Sequence, residues 1–173
     1  LPSPYGYEGH DRDVALKHAG DSGIGLVVDL GVDVGTSKKV VDLTKSVDMV
    51  WGAVGVHPWW ITKDISPDEL SQIEDLSSGS KVKFIGETGL DLSVNGENIG
   101  IQKKVFIAMI QLAKKVDLPL NMHCGQAHQE MLDIIFSEGV PSKGFSIHDS
   151  SPKDKKITEK YLALGAYISI GRS

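Results

Sequence analysis

Six apolar runs of strand length recur along the sequence, and they limit the folds that it can adopt. They cover residues 24–30, 49–56, 82–86, 118–122, 144–147 and 166–170. Val, Ile and Leu fill these runs with little polar alternation, which is typical of strands buried on both faces of a parallel sheet. Segments with a helical repeat lie before and between the runs. The sequence therefore predicts an α/β protein with a parallel sheet and crossover helices.

Helix starts and ends are also readable. Between the third and fourth runs, apolar residues at spacings of three and four form one stripe: Ile101, Val105, Ala108, Met109, Leu112 and Val116. The segment Ser66-Pro67-Asp68-Glu69 predicts a helix start with a capping box, and Ser151-Pro152 repeats the serine–proline pattern. Gly139 and Gly165 lie where helices are expected to end.

Two architectures accommodate this alternation: an open doubly wound sheet and part of a (β/α)8 barrel. A complete barrel takes about 250 residues and rarely fewer than about 200. The 173 residues of this chain therefore suit a partial TIM-type barrel, with about six of the eight parallel strands. We expect a single domain over residues 1–173. Because a domain seldom ends directly after a core strand, we also expect a longer parent protein.

Composition excludes several other classes of protein. Hydrophobic residues make up 40% and charged residues 24%, which is a globular mix. No apolar run approaches the roughly 20 residues of a transmembrane helix, and no secretory signal is visible, so we expect a cytoplasmic protein. The single cysteine, Cys124, excludes an internal disulfide and a cysteine-rich zinc site. The net charge of −5 does not favour nucleic acid, so a phosphate substrate needs a local positive centre.

Residues able to bind a metal follow four successive predicted strands. These residues are His57, Glu87, His123 and His148. The carboxyl ends of parallel strands form the ligand-binding edge in both architectures, and neighbouring strands lie about 4.8 Å apart. Glu87, His123 and His148 are therefore candidates to hold one ion. Two imidazoles and a carboxylate suit Zn²⁺, Mn²⁺ or Fe²⁺ better than Ca²⁺.

The remaining polar residues near these ends have structural interpretations. Asp91 either caps or braces the loop after Glu87, the interpretation that we favour, or supports a metal ligand from outside the ligand set. Cys124 is expected to point away from the metal, because neighbouring side chains of a strand face opposite ways. Trp59 and Trp60 either stack on a base or sugar or cover the rim of the barrel. The residues expected to be solvated are His10, His18, His128, Lys153, Lys155 and Lys156. The alternative for the three lysines is contact with a substrate phosphate, if they lie near the site.

These motifs together resemble the TatD family of metal-dependent deoxyribonucleases. The matching elements are Gly55-Val56-His57-Pro58, Ile85-Gly86-Glu87-Thr88-Gly89-Leu90-Asp91, residues 102–113, Leu118-Pro119-Leu120-Asn121-Met122-His123, His148 and Tyr167-Ile168-Ser169-Ile170-Gly171. The similarity runs from about Asp11 to Gly171. Members of this family are amidohydrolase-like (β/α)8 barrels that bind divalent ions. The resemblance thus implies a metal-dependent hydrolase barrel that is incomplete as given.

The resemblance also implies an activity and roles for individual residues. It implies a deoxyribonuclease, expected to be an exonuclease, with DNA as substrate and Mg²⁺, Mn²⁺ or Zn²⁺ as cofactor. Glu87 is then the catalytic carboxylate that bridges the ions, and His123 and His148 are metal ligands. His57 is then a site residue near the substrate phosphate. Trp59 is placed on the substrate-binding side with it because it follows His57-Pro58 in the sequence, not because of the resemblance.

Departures from the family pattern leave two alternatives open. Cys124-Gly125 stands where the family often has an arginine available to phosphate, and Asp149-Ser150-Ser151 stands where it often has Cys-Phe-Ser-Gly. The same metal ligands could instead serve the hydrolysis of an amide or ester. The family's His-x-His pair and last-strand aspartate have no counterpart in this sequence. An inactive barrel that binds nucleic acid or a protein partner is therefore the second alternative.

Overall fold

The computed structural model describes residues 9–148 and 155–169, in which helices and parallel strands alternate. The helices are α1 (Gly9–Asp21), α2 (Val34–Ser46), α3 (Pro67–Ser77), α4 (Ile99–Val116), α5 (His128–Glu138) and α6 (Lys155–Ala163). The strands are β1 (Val27–Leu30), β2 (Val50–Val54), β3 (Val82–Asp91), β4 (Leu120–Gly125), β5 (Phe145–His148) and β6 (Tyr167–Ile168). Short 3-10 turns cover Pro58–Trp60 and Gly96–Asn98.

The order of the strands distinguishes between the two predicted architectures. All neighbouring strands pair in parallel, and their spatial order is the sequence order from β1 to β6. A doubly wound sheet reverses its strand order at a switch point, and the described strands have no such reversal. The sheet instead curls into a half-barrel with helices between the strands. The prediction of a partial TIM-type barrel is confirmed.

Helix α4 packs along β3 and forms much of the core between the sheet and the helices. Its buried apolar residues include Val105, Phe106, Met109, Leu112 and Ala113, which recur at the predicted helical spacing. The helix ends at Asp117, whose φ of 54° is left-handed, a conformation that aspartate tolerates better than most residues. This helix therefore buries its apolar stripe mainly against β3.

The predicted helix boundaries agree with the structure where it describes them. Ser66 Oγ accepts the backbone N–H of Glu69 at 3.2 Å, and the Glu69 carboxylate accepts the N–H of Ser66 at 2.9 Å, which completes the capping box. Gly139 and Gly165 follow α5 and α6 with φ values of 75° and 80°. Ser151-Pro152 lies outside the described residues.

Strand β3 is longer than the sequence predicted. The apolar run ends at Gly86, yet β3 continues to Asp91 because its second half stays paired with β4. Ile85 lies opposite Leu120 and Thr88 opposite Met122, so three steps along β3 match two along β4. The extra residue forms a bulge at Gly86 and Glu87. Such bulges bend a strand and redirect a side chain.

The predictions for solvated residues have mixed outcomes. His18, Lys155 and Lys156 are exposed as expected. His128 is half-buried, because it begins α5 and its ring packs edge-on against buried Tyr161 of α6, so that prediction was wrong. The side chain of His10 and residue Lys153 lie outside the described part of the chain. Among the helices of residues 9–148 and 155–169, each is too short or too polar to cross a membrane.

The Ser66 cap offers a direct test of the local fold. We expect Ser66→Ala to lower the free energy of unfolding by about 1 kcal/mol, because the first turn of α3 then loses a hydrogen-bond acceptor. Urea denaturation measures this change. Ser78→Ala is the matched control, since its hydroxyl lies exposed at the other end of the same helix and donates to the Asp75 carbonyl. Equal losses for both variants would contradict the capping role.

Candidate metal centre

The Glu87 carboxylate lies at the centre of a cluster of imidazoles. Its side chain is buried, and Glu87 as a whole is 7% exposed. One oxygen, Oε1, lies 3.0 Å from His148 Nδ1, 3.6 Å from His123 Nδ1 and 3.8 Å from His57 Nε2. The structure thus brings together all four residues that the strand ends predicted. Whether each of them binds a metal stays a prediction.

The sheet accounts for this convergence. His57 is the third residue after β2, and Glu87 lies in the bulge of β3. His123 and His148 lie directly opposite each other on β4 and β5. All four positions are at the carboxyl ends of parallel strands, where barrel enzymes build their sites. The bulge lets the Glu87 side chain meet residues of the strands on both sides.

Glu87 is charged despite its burial. Burial alone would raise the pKa of the carboxyl, but hydrogen bonds with His123 and His148 outweigh it and lower the pKa of Glu87 to about 2. A buried anion whose charge is only partly compensated is a favourable position for a cation. The cluster is therefore a candidate site for a divalent metal ion.

Asp91 fixes the orientation of His123. His123 Nε2 donates to Asp91 Oδ2 at 2.7 Å, so the lone pair of a neutral ring lies on Nδ1, which faces Glu87. Metal-binding histidines commonly use their second nitrogen in this way, to donate to a carboxylate. Asp91 is itself 1% exposed and accepts hydrogen bonds from Ser93 and Val94. The expected bracing role of Asp91 agrees with these contacts.

His57 directs an N–H group toward Glu87, whereas a neutral His123 ring directs a lone pair toward it. Its Nδ1 accepts the backbone N–H of Trp59 at 3.2 Å, so a neutral ring carries its proton on Nε2, which faces Glu87. Burial, followed by the nearby His123, lowers the pKa of His57 to about 4, which keeps the ring neutral at pH 7. A neutral ring of this tautomer is a hydrogen-bond donor toward the site.

Trp59 forms a wall of the site. Its indole N–H donates to Asp91 Oδ2 at 2.6 Å, and its ring contacts the rings of His57 and His123 edge-on. These contacts favour the rim interpretation over free stacking on a base, because the indole already has a partner and is half-buried. Trp60, by contrast, is 45% exposed.

The donor set suits a metal ion. Ligand atoms of His57, Glu87 and His123 all lie within 4.8 Å of one another. A proton on His57 Nε2 excludes this nitrogen as a ligand in that tautomer, whereas a neutral His123 ring that donates from Nε2 to Asp91 offers the lone pair of Nδ1. Glu87 and His123 are therefore the residues that fit an ion best. A neutral His148 ring that donates from Nδ1 to Glu87 at 3.0 Å carries its lone pair on Nε2, the nitrogen with which it could bind an ion.

The residues after His123 have a structural explanation. A Cβ atom at Gly125 would overlap the Asp91 carboxylate, so a side chain there would displace the group that orients His123. The glycine at this position is thus explained by space for Asp91. Cys124 packs against the hydrophobic core, as expected, and burial raises the pKa of its thiol to about 11.

Two residues around the site were not predicted from the sequence as functional. Gln102 is fully buried and hydrogen-bonded to the main chain of Asp91, and Asn95 bonds to the loop that follows His57. Gln102 lies three and four residues before buried Val105 and Phe106. A polar residue in an apolar stripe was therefore the available signal. Asn95 had no such signal, since its partners are backbone carbonyls distant in sequence.

The opposite environments of His57 and His123 lead to a pH prediction for the metal-free protein. We expect the His57 ring to stay neutral until about pH 4. Burial alone would also lower the pKa of His123, but Glu87 and Asp91 raise it above its ordinary value of 6.5. NMR titration of the imidazoles measures both, with His57→Gln for assignment.

The same shifts link pH to stability. The depressed pKa of His57 means that its contribution to folding stability is present above pH 6.5 and is lost as the pH falls toward 4. The raised pKa of His123 gives a contribution that is present below pH 6.5 and is lost as the pH rises through the raised value. Coincident titration of both rings at their ordinary value would contradict this geometry.

Sequence comparisons place the chain among known proteins. A family model described as "TatD related DNase" matches residues 4–173. The chain is 29% identical over 161 residues to the uncharacterized metal-dependent hydrolase YabD of Bacillus subtilis, with 93% of this chain and 62% of YabD aligned. It is also 29% identical over 160 residues to the 3'-5' ssDNA/RNA exonuclease TatD of Shigella flexneri, with 92% and 61% aligned. The chain thus spans about three-fifths of the length of these relatives.

Solved structures agree with the sequence comparison. The crystal structure of YjjV, a TatD homologue from Escherichia coli, superposes with a TM-score of 0.84 at 25% identity, covering 92% of this chain and 61% of YjjV. A TatD-family hydrolase from Entamoeba histolytica has the same fold, with a TM-score of 0.83 at 20% identity and coverages of 95% and 57%. Together with the family model, which covers nearly all residues, these similarities show that the chain belongs to the TatD-related DNase family.

Proposed function

We propose that this chain forms the metal-binding part of a nuclease that hydrolyses phosphodiester bonds of DNA, with a single strand attacked from one end. The observation that carries the proposal is the buried, charged Glu87 carboxylate within 3.0–3.8 Å of three imidazole nitrogens. Its position at the carboxyl ends of the strands supports a catalytic site. The relative from Shigella flexneri, named as a 3'-5' ssDNA/RNA exonuclease, supports the substrate class and the exonucleolytic mode.

In this proposal Glu87 and the histidines of β4 and β5 hold the ion. Glu87 contributes the charge, His123 contributes the lone pair of Nδ1, and His148 completes the ligand set from the end of β5. Imidazole nitrogens together with a carboxylate favour Mn²⁺ or Zn²⁺, whereas Mg²⁺ prefers oxygen ligands and water. A divalent ion supplies Lewis-acid activation of water and neutralises charge on phosphate oxygens.

Asp91 has an indirect role in this proposal. Its hydrogen bond to His123 Nε2 prevents the ring from rotating and keeps Nδ1 toward Glu87. The pKa of Asp91 stays well below its ordinary value, because the hydrogen bonds that it accepts outweigh the effect of burial. It therefore remains an acceptor over the whole physiological range of pH.

His57 faces the substrate in this proposal. Its neutral ring directs Nε2–H into the site, where a non-bridging phosphate oxygen is a suitable acceptor. The Trp59 main chain fixes this tautomer, so the donor is oriented before the substrate binds. Trp59 contributes to the substrate side by shaping the wall next to this donor.

Glu87→Gln tests the proposal. The amide keeps the shape of the side chain but removes the charge that holds the ion. Variants of residues that only support the ligands typically lose about 10–100-fold in activity. We expect the rate at which Glu87→Gln cleaves end-labelled single-stranded DNA to fall by more than this. The assay contains Mn²⁺ or Zn²⁺, with a chelator control. Glu97→Gln, the same change at an exposed position, is the matched control and should cleave like the wild type.

Two results would contradict the proposal. Wild-type turnover by a folded Glu87→Gln variant would remove Glu87 from the reaction. A wild-type protein that binds the ion but leaves DNA intact and hydrolyses an amide or ester would replace the nuclease by a carbonyl hydrolase.

A further inference from the structure

A buried side-chain amide holds the main chain of Asp91. Gln102, in the first turn of α4, is 0% exposed. Its Oε1 accepts the N–H of Asp91 at 2.7 Å, and its Nε2 donates to the carbonyl of Asp91 at 3.1 Å. The same Nε2 donates to the carbonyl of Asn95 at 2.6 Å. Gln102 thus fixes both ends of the loop that carries Asp91.

A second amide continues this connection to another loop. Asn95 Nδ2 donates to the carbonyl of Pro58 at 2.9 Å and to that of Ile61 at 2.8 Å. These carbonyls lie at the start of the turn Pro58–Trp60 and directly after it. Asn98 donates to Asn95 Oδ1 at 2.7 Å and so orients the amide.

The turn at residues 58–60 needs this external support. Its own hydrogen bonds, from Trp60 N–H to the His57 carbonyl and from Ile61 N–H to the Pro58 carbonyl, are 3.2 and 3.4 Å long, at and beyond the upper end of the usual range for an N–H donor. Short 3-10 turns have poor internal hydrogen-bond geometry in general. Because His57 caps this turn and Trp59 lies within it, the position of both rings depends on how the turn is held.

The connections form a closed circuit around the candidate metal centre. Gln102 links Asp91 to Asn95, Asn95 links to the turn, and Trp59 of the turn donates its indole N–H back to Asp91 Oδ2. The same carboxylate oxygen accepts from His123. A shift of the turn therefore moves the Trp59 indole N–H away from the Asp91 carboxylate, which orients His123.

We propose that Asn95 and Gln102 are positioning residues, which hold the turn Pro58–Trp60 against Asp91 and thereby preorganise His57 and His123 for metal and substrate. The inference rests on the proposed metal-dependent function of the site. Among the described residues, neither amide hydrogen-bonds to Glu87, His123 or His148, so both act through Asp91 and the turn. Outer-shell partners of this kind typically change metal affinity or activity by about 10–100-fold.

Asn95→Ala in the full chain tests the inference with two measurements that do not depend on DNA cleavage. We expect Mn²⁺ affinity, measured by calorimetry, to fall about tenfold, within the range for outer-shell partners. We also expect hydrogen exchange of the Trp59 indole N–H, measured by NMR in the metal-free protein, to accelerate because the turn opens more often. Gln72→Ala is the control, since its amide pairs with Asp68 of α3 and Lys38 of α2 rather than with Asp91 or the turn.

Gln102→Met provides a second variant of similar length that removes the hydrogen bonds of the buried amide. Gln111→Met, the same substitution at an exposed position of α4, is its matched control. Asn95 is half-buried on a loop, so Asn95→Ala keeps the inference testable if Gln102→Met does not fold. Combining Asn95→Ala with Trp59→Phe should give a smaller affinity loss than the sum of the two, because both act on one circuit.

The outcomes separate this inference from the proposed function. Wild-type affinity and wild-type indole exchange in a folded Asn95→Ala variant would overturn the positioning role. Additive losses in the double variant would overturn the circuit. If the wild-type protein binds Mn²⁺ without cleaving DNA, only the proposed nuclease activity is overturned. A loss of Mn²⁺ affinity in Asn95→Ala would then still support the positioning role. A wild-type protein that binds neither Mn²⁺ nor Zn²⁺ overturns both.

Discussion

A buried carboxylate is costly unless its charge is compensated, and the Glu87 carboxylate is the charge on which the rest of this site depends. Glu87 is 7% exposed and has imidazole nitrogens of His148, His123 and His57 within 3.8 Å of one oxygen. In the metal-free state these rings supply partial compensation. A neutral His123 ring adds the lone pair of Nδ1 to this negative centre, an arrangement that favours a divalent cation.

The parallel half-barrel supplies this arrangement through its strand order. Because β2, β3, β4 and β5 are neighbours in sequence and in space, residues at their carboxyl ends meet without any connection that skips a strand. The loops after these strands are then fastened to one another. Asp91 accepts hydrogen bonds from Trp59 and His123, so one carboxylate joins the loop after β2 to strand β4. Rigid loops at this edge preorganise the donors.

The alternating helices and strands and the partial barrel could be predicted from the sequence, because apolar runs and helical stripes report burial directly. The regular spacing of the strands also predicted that Glu87, His123 and His148 would meet. The bulge in β3 could not be predicted, because it arises from pairing with β4 after the apolar run ends. The half-burial of His128 depends on Tyr161, 33 residues away, and no local pattern reports such a contact.

Anomalous diffraction from crystals soaked in Mn²⁺ or Zn²⁺ tests the central claim most directly. The account predicts a peak about 2.0–2.2 Å from a Glu87 oxygen and from His123 Nδ1, with His57 Nε2 outside coordination distance. A peak bound to His57 but not to His123 would contradict the assignment of tautomers. The absence of any peak at Glu87, in crystals that hold the ion elsewhere, would contradict the metal centre itself.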